Sequence, residues 1–434
     1  MKLSFARPIL AQRWFPVLVQ VLVLLFFCFI IYSLFTGPVE ADENFGAAAT
    51  WLLWWPGLAI LFFLAGRVWC AVCPFALISD FVQKLTGNRF PAPLFLKRYG
   101  AWVIIGLFLI LTWSELTYDL VRIPHRTGIL LLCIVTAVVV SGAFFERRTW
   151  CRYMCPLGGI AGLYSRLGLV ALRGDRNRCA TCEEVTCYKG IHNVDGCPLF
   201  EVVRVMDSNA NCSFCGQCVK ACPYEAVEVS LRRPGQELLE IRRPRIEEAV
   251  LAFGLAGLIF LLDALERFGP FFERAGWIGG AGQGFGYFAL MMLFLGAAVA
   301  VGGLTAAGAS RLGGETWKLN FLRAGYAFIP LVLAMHISHT GAEFPEDGGY
   351  ILPGLYRVFG HAVAVDSASL LGEDGVLGFR VLTVLCGLAL SIWVGLRIMP
   401  PPKNVSRWKT ALPIVIALLI AAGLSLPLLF LGES

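Results

Sequence analysis

Charged side chains are scarce in this sequence. Only 15% of its 434 residues are charged, whereas 57% are hydrophobic and the mean hydropathy is +0.70. Soluble chains carry about 25% charged residues, so this shortage argues against a soluble multidomain protein, and the apolar content excludes disorder. The 36 Lys and Arg residues are nearly balanced by 30 Asp and Glu residues, with no dominant basic block, so we expect no nucleic-acid partner. What remains is a polytopic membrane protein.

Two further absences limit the chemistry. The chain has only five histidines, and they form no nucleophile–base arrangement. The glycine-rich stretch 279–286 follows no predicted strand, so it does not carry the fingerprint of a hydride-cofactor site. We therefore expect no bond-making chemistry beyond electron and proton transfer.

Long apolar runs predict about nine transmembrane α-helices, because a helix needs about 20 mainly apolar residues to cross a bilayer. The predicted spans are 15–35, 51–66, 99–121, 128–145, 248–265, 284–304, 321–340, 379–398 and 410–431. The first run is too long for a signal peptide, so we interpret it as a retained anchor. Lys and Arg are concentrated before span one and after spans two, four, six and eight. This bias predicts a bacterial-type cytoplasmic membrane, with the N-terminus cytoplasmic and the C-terminus outside.

Cysteine, in contrast, is abundant. All 15 cysteines except Cys28 and Cys386 lie between Cys70 and Cys222. On the predicted topology most of these thiols face the reducing cytoplasm, so structural disulfides are not expected. Cys28, Cys133 and Cys386 are isolated within apolar runs, and we expect them to be small buried hydrophobic residues.

The most specific motif is the run Cys212-x2-Cys215-x2-Cys218-x3-Cys222-Pro223. It is the run of bacterial two-cluster ferredoxins, in which the fourth cysteine binds the other cluster. Zinc sites usually use two separated pairs instead. A second set lies upstream and ends in another Cys-Pro. We therefore predict two [4Fe–4S] clusters, one held by Cys197, Cys212, Cys215 and Cys218, and one held by Cys179, Cys182, Cys187 and Cys222.

These cysteines define a cytoplasmic two-cluster ferredoxin-like module at residues 173–232, inserted between spans four and five. Residues 1–172 then form a four-span membrane module, and residues 233–434 form a five-span module. The module is too short to bury much core and would depend on its clusters for stability. Arg173, Arg176 and Arg178 would offset the negative charge of the clusters.

The remaining four cysteines form an internal repeat at the predicted inner ends of two helical hairpins. The copies are Arg67-Val-Trp-Cys70-Ala-Val-Cys73-Pro74 and Arg148-Thr-Trp-Cys151-Arg-Tyr-Met-Cys155-Pro156. If each copy is helical, both of its thiols lie on one helix face. Three interpretations stay open: a third cluster that bridges the hairpins, a dithiol set for a metal such as copper(I), or structural helix ends with inert cysteines.

Paired Arg-x-Trp-Cys hairpins followed by a two-cluster ferredoxin segment resemble the membrane polyferredoxin family over roughly residues 50–232. That family includes quinol-dehydrogenase subunits of periplasmic nitrate and nitrous-oxide reduction and a copper-reducing oxidase assembly factor. The chain departs from it in the shorter Cys70–Cys73 spacing, in the small predicted outer loop and in its five later spans. The resemblance implies a quinone pool and other redox subunits as partners.

Ionisable residues inside predicted spans suggest a site for quinol and protons. His336 and His339 share a helix face in span seven, and Glu115 and Asp119 are spaced i,i+4 in span three. These groups could accept the protons of a quinol, or they could be polar helix ends at headgroup level. A bis-histidine haem would need His125 or His361, and we do not expect one. A copper site at Met335-His336-x-x-His339 is a further alternative.

The sequence thus favours a membrane-bound iron–sulfur protein that exchanges electrons between quinol or quinone and redox partner proteins. The alternative is a copper reductase or metalloenzyme assembly factor that uses the same clusters. A cluster-bearing sensor or structural anchor is disfavoured, because two neighbouring clusters form an electron path, whereas sensing needs one.

Overall fold

The computed structural model describes residues 2–87, 90–241, 243–313, 315–361, 369–399 and 407–430. Within these ranges, nine helical segments are long and apolar enough to cross a membrane, which agrees with the predicted helical membrane fold. They are Val17–Thr36, Phe45–Thr86, Leu94–Tyr118, Pro124–Phe144, Ile246–Arg274, Gln283–Arg311, Trp317–Val358, Gly372–Ile398 and Trp408–Leu428. The end of the predicted ninth span, residue 431, lies outside the described residues.

The chain divides into two compact units. The first comprises Met1–Gly37, Leu61–Phe108 and Pro124–Glu240, and the second comprises Pro38–Ile60, Leu109–Ile123 and Ile241–Ser434. All twelve cysteines of the two predicted clusters and the two hairpins belong to the first unit. The long helices Trp55–Ala65 and Leu94–Tyr118 contribute to both units.

In the first unit, helices Val17–Thr36, Pro74–Thr86 and Pro124–Phe144 pack against one another. Gly142 permits a close approach here, because a Cβ at this position would lie 3.2 Å from the carbonyl oxygen of Ser79. The approach packs the C-terminal part of helix Pro124–Phe144 against the helix that follows Cys73.

The two Cys-Pro repeats are helix breaks and not continuous helices. Cys73 is extended (φ −61°, ψ 131°) and caps helix Pro74–Thr86, whereas Cys70 belongs to the short helix Trp69–Val72. In the second copy Cys155 is extended (φ −68°, ψ 112°) and caps helix Pro156–Tyr164, which follows Thr149–Tyr153. Proline is favoured at the first position of a helix, so each Cys-Pro starts a new helix. Neither repeat is therefore one continuous helix, which was the condition for both thiols to lie on one helix face.

The cysteine-rich segment is framed by two antiparallel strands. Strand β1 (Val170–Gly174) pairs with β4 (Val227–Leu231), with Leu172 opposite Val229, and the short strands β2 (Gly190–Ile191) and β3 (Val194–Asp195) pair with each other. The short helices of this region are Arg176–Ala180, Thr186–Lys189, Val203–Val205 (3-10), Gln217–Ala221 and Gln236–Leu239.

The N-terminal segment packs onto this framework. The Leu3 amide donates to the Val229 carbonyl (2.8 Å), and helix Ala6–Ala11 buries Leu10 in the same apolar core as Phe214 and Val219. Residues 2–15 therefore complete the module that surrounds the cysteines.

The second unit is a bundle of five long helices. They are Ile246–Arg274, Gln283–Arg311, Trp317–Asp347, Gly372–Ile398 and Arg407–Phe430. Its shorter helices are Ala41–Glu43 (3-10), Phe45–Ala48, Ala49–Trp54 (π), Gly280–Gly282 (3-10), Gly348–Tyr350 (3-10) and Ile351–Val358. Helix Trp317–Asp347 is the most buried and contacts the other four. Gly387 lets the backbone of its helix approach Ala334 closely.

Candidate metal centre

One set of predicted ligands lines a single cavity in the first unit. Cys179, Cys182, Cys187 and Cys222 surround a space of about 410 Å³. The amide of Ala226 donates to Cys222 Sγ at 3.3 Å. Cys222 thus lies with the upstream cysteines and not with its own sequence neighbours, which is the arrangement expected of the fourth cysteine in a two-cluster run.

The other set lines a second cavity. Cys197, Cys212, Cys215 and Cys218 surround a space of about 370 Å³, together with apolar side chains that include Leu172 and Phe214. Burial raises the pKa of the Cys212 thiol to about 12, although a hydrogen bond from the Phe214 amide to its sulfur acts in the opposite direction and lowers the pKa. Val203 lines both cavities, so the two sites are neighbours.

The backbone beside these cysteines is strained. Six residues other than glycine have a positive φ within the described ranges, and four of them flank the cysteines: Val185, Phe200, Phe214 and Glu225. Such conformations persist where the surroundings impose them, and they cluster at ligand sites. Left-handed residues also turn successive amides toward one point, where they can stabilise an anion.

The predicted basic residues have different surroundings. Arg178 lines the cavity of Cys179, as does Arg204, which donates to the Cys182 carbonyl at 3.2 Å. Arg173 acts on Cys212 electrostatically but is hydrogen-bonded to Glu237 (2.9 Å), whereas Arg176 is exposed. Sequence reasoning missed Arg204, because no local motif marks it.

The four hairpin cysteines are also brought together. Cys70, Cys73, Cys151 and Cys155 all interact electrostatically with one another. The amide of Ala76 donates to the Cys73 carbonyl at 3.1 Å, and the amide of Gly158 donates to the Cys155 carbonyl at 3.0 Å. Burial raises the pKa of Cys151 to about 12 and that of Cys155 to about 11.

The chemistry of this site fits an anionic, sulfur-bound group. Four thiols are soft ligands that suit an iron–sulfur cluster or copper(I). Two buried donors near them, Arg67 Nε and Trp150 Nε1, have no hydrogen-bond acceptor among the described residues. Buried donors are almost always paired, so both atoms leave donor capacity for a bound group.

The isolated cysteines differ from expectation. Cys28, Cys133 and Cys386 are exposed on their helices and are not buried inside the protein. The prediction of buried residues was wrong because a transmembrane helix presents part of its apolar surface to lipid. None of the three lines either cavity.

The second unit contains a separate cluster of a histidine and carboxylates. His339 Nδ1 is hydrogen-bonded to Asp263 Oδ1 at 2.7 Å, and a Glu266 oxygen lies within 4.8 Å of these ligand atoms. Glu115 and Glu343 interact electrostatically with His339. These five residues converge from three helices, and Asp263 and Glu266 were missed although the sequence places Asp263 inside a predicted span.

The other two members of the predicted quinol site lie differently. His336 is buried and packs against the Trp55 ring, with ring centroids 5.7 Å apart. Asp119 is exposed with φ +48°, beyond the end of helix Leu94–Tyr118. Of this i,i+4 pair, therefore, only Glu115 lies within the helix.

Comparisons with known proteins agree with this geometry. A family described as a 4Fe-4S binding domain matches residues 47–93 and 127–174, which include both hairpins, and a second 4Fe-4S binding domain matches residues 208–228. No solved structure matches the chain.

Two relatives are ferredoxin-type proteins. The methylamine utilization ferredoxin-type protein MauN of Paracoccus denitrificans is 30% identical over 171 residues, which is 35% of this chain and 56% of MauN. The ferredoxin-type protein NapH of Escherichia coli is 25% identical over 194 residues, which is 40% of this chain and 66% of NapH. The chain therefore spans somewhat more than half of these relatives. Its predicted resemblance is confirmed: it is a multi-pass membrane protein with 4Fe-4S binding domains, related to the membrane polyferredoxins.

Proposed function

We propose that this protein transfers electrons through two [4Fe–4S] clusters in the cysteine-rich module and exchanges them with a membrane quinone and with redox partner subunits. The observation that carries the proposal is the pairing of cysteines across the sequence. Cys197 shares a cavity with the downstream run, and Cys222 shares one with the upstream set. This crossed pairing supports two neighbouring clusters, since the fourth cysteine of a C-x2-C-x2-C-x3-C-P run binds the other cluster in two-cluster ferredoxins.

The chain's own residues would bind and isolate such clusters. Cysteine thiolates hold the iron, and amides near Cys212 and Cys222 donate to the sulfurs. Apolar side chains such as Val203 and Phe214 keep water away. When bound, the clusters supply one-electron transfer. Hydrogen bonds to sulfur and solvent exposure set their potentials.

The crossed pairing is tested by single substitutions in the purified full chain. We expect Cys197→Ala to abolish the same EPR signal as Cys215→Ala, and Cys222→Ala to abolish the same signal as Cys182→Ala. Each variant should lose about four iron atoms per chain. Cys133→Ala is the matched control, because that cysteine lies alone in a span. If Cys197→Ala instead abolishes the signal lost in Cys182→Ala, the proposed pairing is wrong.

A third cluster at Cys70, Cys73, Cys151 and Cys155 is our preferred occupant of the hairpin site. It is supported by the match of both hairpins to a 4Fe-4S binding domain. Copper(I) is the alternative ligand, and it would favour a copper reductase or an assembly factor. Iron and copper analysis separates the two, because Cys151→Ala should lower the iron content in the first case and the copper content in the second.

We infer that quinol protons are accepted in the second unit. Oxidation of one quinol releases two electrons and two protons. The electrons would go to iron–sulfur centres, and the protons to the His339–Asp263 pair and Glu115. Support comes from the 2.7 Å hydrogen bond of His339 inside an apolar helix, where an ionisable group is rarely present without a function.

The quinol proposal predicts a selective defect. Asp263→Asn keeps the size of the side chain but removes its negative charge. It should slow cluster reduction by a quinol analogue at least tenfold and leave reduction by dithionite unchanged. Glu373→Gln, at the exposed start of helix Gly372–Ile398, is the control. Equal quinol rates in all three proteins would contradict the proposal.

We further propose a cytoplasmic position for the module, with the N-terminus on the same side. The supporting observation is the distribution of Lys and Arg, which favours the cytoplasmic side. Labelling of an introduced cysteine at Lys189 in intact cells and in inverted vesicles would test it. Labelling in intact cells would reverse the proposed orientation.

A further inference from the structure

The two hairpin repeats each place a buried arginine three residues before a cysteine, but only one arginine has a carboxylate partner. Arg148 is 4% exposed and binds Asp80 through two nitrogens, with Nη2 to Oδ2 at 2.7 Å and Nε to Oδ1 at 3.2 Å. Arg67 is 5% exposed and forms no ion pair with any carboxylate in the described part of the chain. The two repeats are therefore similar in sequence, but a carboxylate balances the charge of the arginine only in the second repeat.

Arg67 lies among the hairpin cysteines. Its guanidinium hydrogen-bonds the Cys70 thiol and interacts electrostatically with Cys151 and Cys155. Gly158 packs beside the guanidinium, since a Cβ there would lie 3.4 Å from Arg67 Nη2 and 3.5 Å from Cys155 Cβ.

The other end of the guanidinium reaches the module. Arg67 Nη1 donates to the carbonyl of Ala210 at 2.5 Å, two residues before Cys212. Arg67 Nε has no acceptor among the described residues. One cation thus contacts the hairpin cysteines and the loop that leads into the cavity of Cys212.

A buried cation without a counter-charge is strongly unfavourable. The neighbouring groups that can supply negative charge are the four cysteines, which become thiolates when they bind a metal centre. We propose that Arg67 is the counter-ion of a [4Fe–4S] cluster held by Cys70, Cys73, Cys151 and Cys155, and that it raises the reduction potential of that cluster. This inference rests on the third cluster of the proposed function.

The direction of the effect follows from charge. Four thiolates leave the cluster net negative, and reduction adds one more negative charge. A nearby guanidinium therefore stabilises the reduced state more than the oxidised state. Arg148 contributes less, because Asp80, which also lies 3.7 Å from Arg147, offsets its charge at 2.7 Å. The reduction potential of this cluster should therefore depend more on Arg67 than on the Arg148–Asp80 ion pair.

The experiment is a redox titration of the purified full chain, followed by EPR, with iron counted per chain. In Arg67→Gln, one cluster should become harder to reduce by at least tenfold, which equals about 59 mV for a one-electron couple. The other two clusters should shift less. Arg67→Lys retains the charge and should restore the wild-type potential.

A double variant provides the matched control. Asp80→Asn with Arg148→Gln removes one positive and one negative charge beside the second repeat without a change in net charge, so it should shift the potential less than Arg67→Gln does. Arg147, which lies 3.7 Å from Asp80, keeps its second carboxylate partner, Asp195, at 3.3 Å. If Arg67→Gln fails to retain the third cluster, its restoration by Arg67→Lys supports the counter-ion role.

The outcomes separate this inference from the proposed function. Three clusters in the wild-type protein with an unchanged potential in Arg67→Gln would overturn only the role of Arg67. The same holds if Arg67→Lys behaves like Arg67→Gln, because packing and not charge would then matter. Iron for only two clusters in the wild-type protein would overturn the third cluster and, with it, the counter-ion role.

Discussion

Glu237 is a buried carboxylate that forms ion pairs with three arginines near the cysteine-rich module. Its side chain is 2% exposed and pairs with Arg173 (2.9 Å), Arg232 and Arg166 (3.7 Å). The amide of Asn209 also donates to both of its oxygens, at 3.1 and 3.2 Å. One carboxylate thus forms ion pairs with three arginines and also accepts hydrogen bonds from the loop that precedes Cys212.

Glu237→Gln should destabilise the module strongly. The amide preserves the size of the side chain but leaves three arginines without their shared anion. Arg166 and Arg232 are 6% and 8% exposed, so water cannot replace it well, whereas Arg173 is 28% exposed and loses less. Breaking a buried pair costs about 3–5 kcal/mol, and we expect a value near the lower limit, about 3 kcal/mol. Typical domains have a free energy of unfolding of only about 5–15 kcal/mol.

Thermal unfolding of the detergent-solubilised protein, followed by cluster absorbance, measures this loss. The cluster bound through Cys212 should be released first, because the Asn209 loop loses its anchor. Glu240→Gln is the matched control, since Glu240 lies just past the same short helix but is exposed. It should change stability by less than about 0.5 kcal/mol. If Glu237→Gln is as stable as Glu240→Gln, the reasoning about this buried network is refuted.

Three further predictions concern packing and the isolated cysteines. Gly387→Ala should lower the free energy of unfolding by about 1–3 kcal/mol, because the new methyl group would collide with Ala334. Gly378→Ala is the control in the same helix: its methyl group would have no atom within 4 Å, so it should not lower stability in the same unfolding assay. Gly216 has φ +77° and lies against the Leu10 carbonyl, so Gly216→Ala should loosen the N-terminal segment and speed its proteolysis. Alanine at each of the isolated cysteines, which are Cys28, Cys133 and Cys386, should leave the iron content unchanged. A loss of iron would contradict the assignment of all clusters to the other twelve cysteines.

The helical membrane architecture could be predicted because it depends on local composition. A span is an uninterrupted apolar run, and the bilayer imposes its length. The nine predicted runs correspond to nine helical segments in the described residues. The helix breaks at the Cys-Pro repeats were harder to predict, since Cys–Pro spacing alone does not say whether proline continues a turn or begins a new helix.

The partners of polar groups inside the spans, in contrast, could not be predicted from the sequence. Glu115 and Asp119 are spaced i,i+4 within one predicted span, but the helix ends at Tyr118 and does not include Asp119. The partner of His339 is Asp263, from a helix more than seventy residues earlier in the chain. Spacing rules act only within one helix, so they cannot identify a partner on another helix.

The sequence by itself determined the ligand types, their spacing and the number of apolar spans, because each of these depends on neighbours along the chain. The tertiary structure decided which distant groups meet. It gave Arg148 a carboxylate, paired His339 with Asp263, and left Arg67 beside thiols and a backbone carbonyl with no carboxylate in the described part of the chain. The physical reason is that local motifs set backbone conformation, whereas the neighbours of a buried charge are set by how separate segments pack.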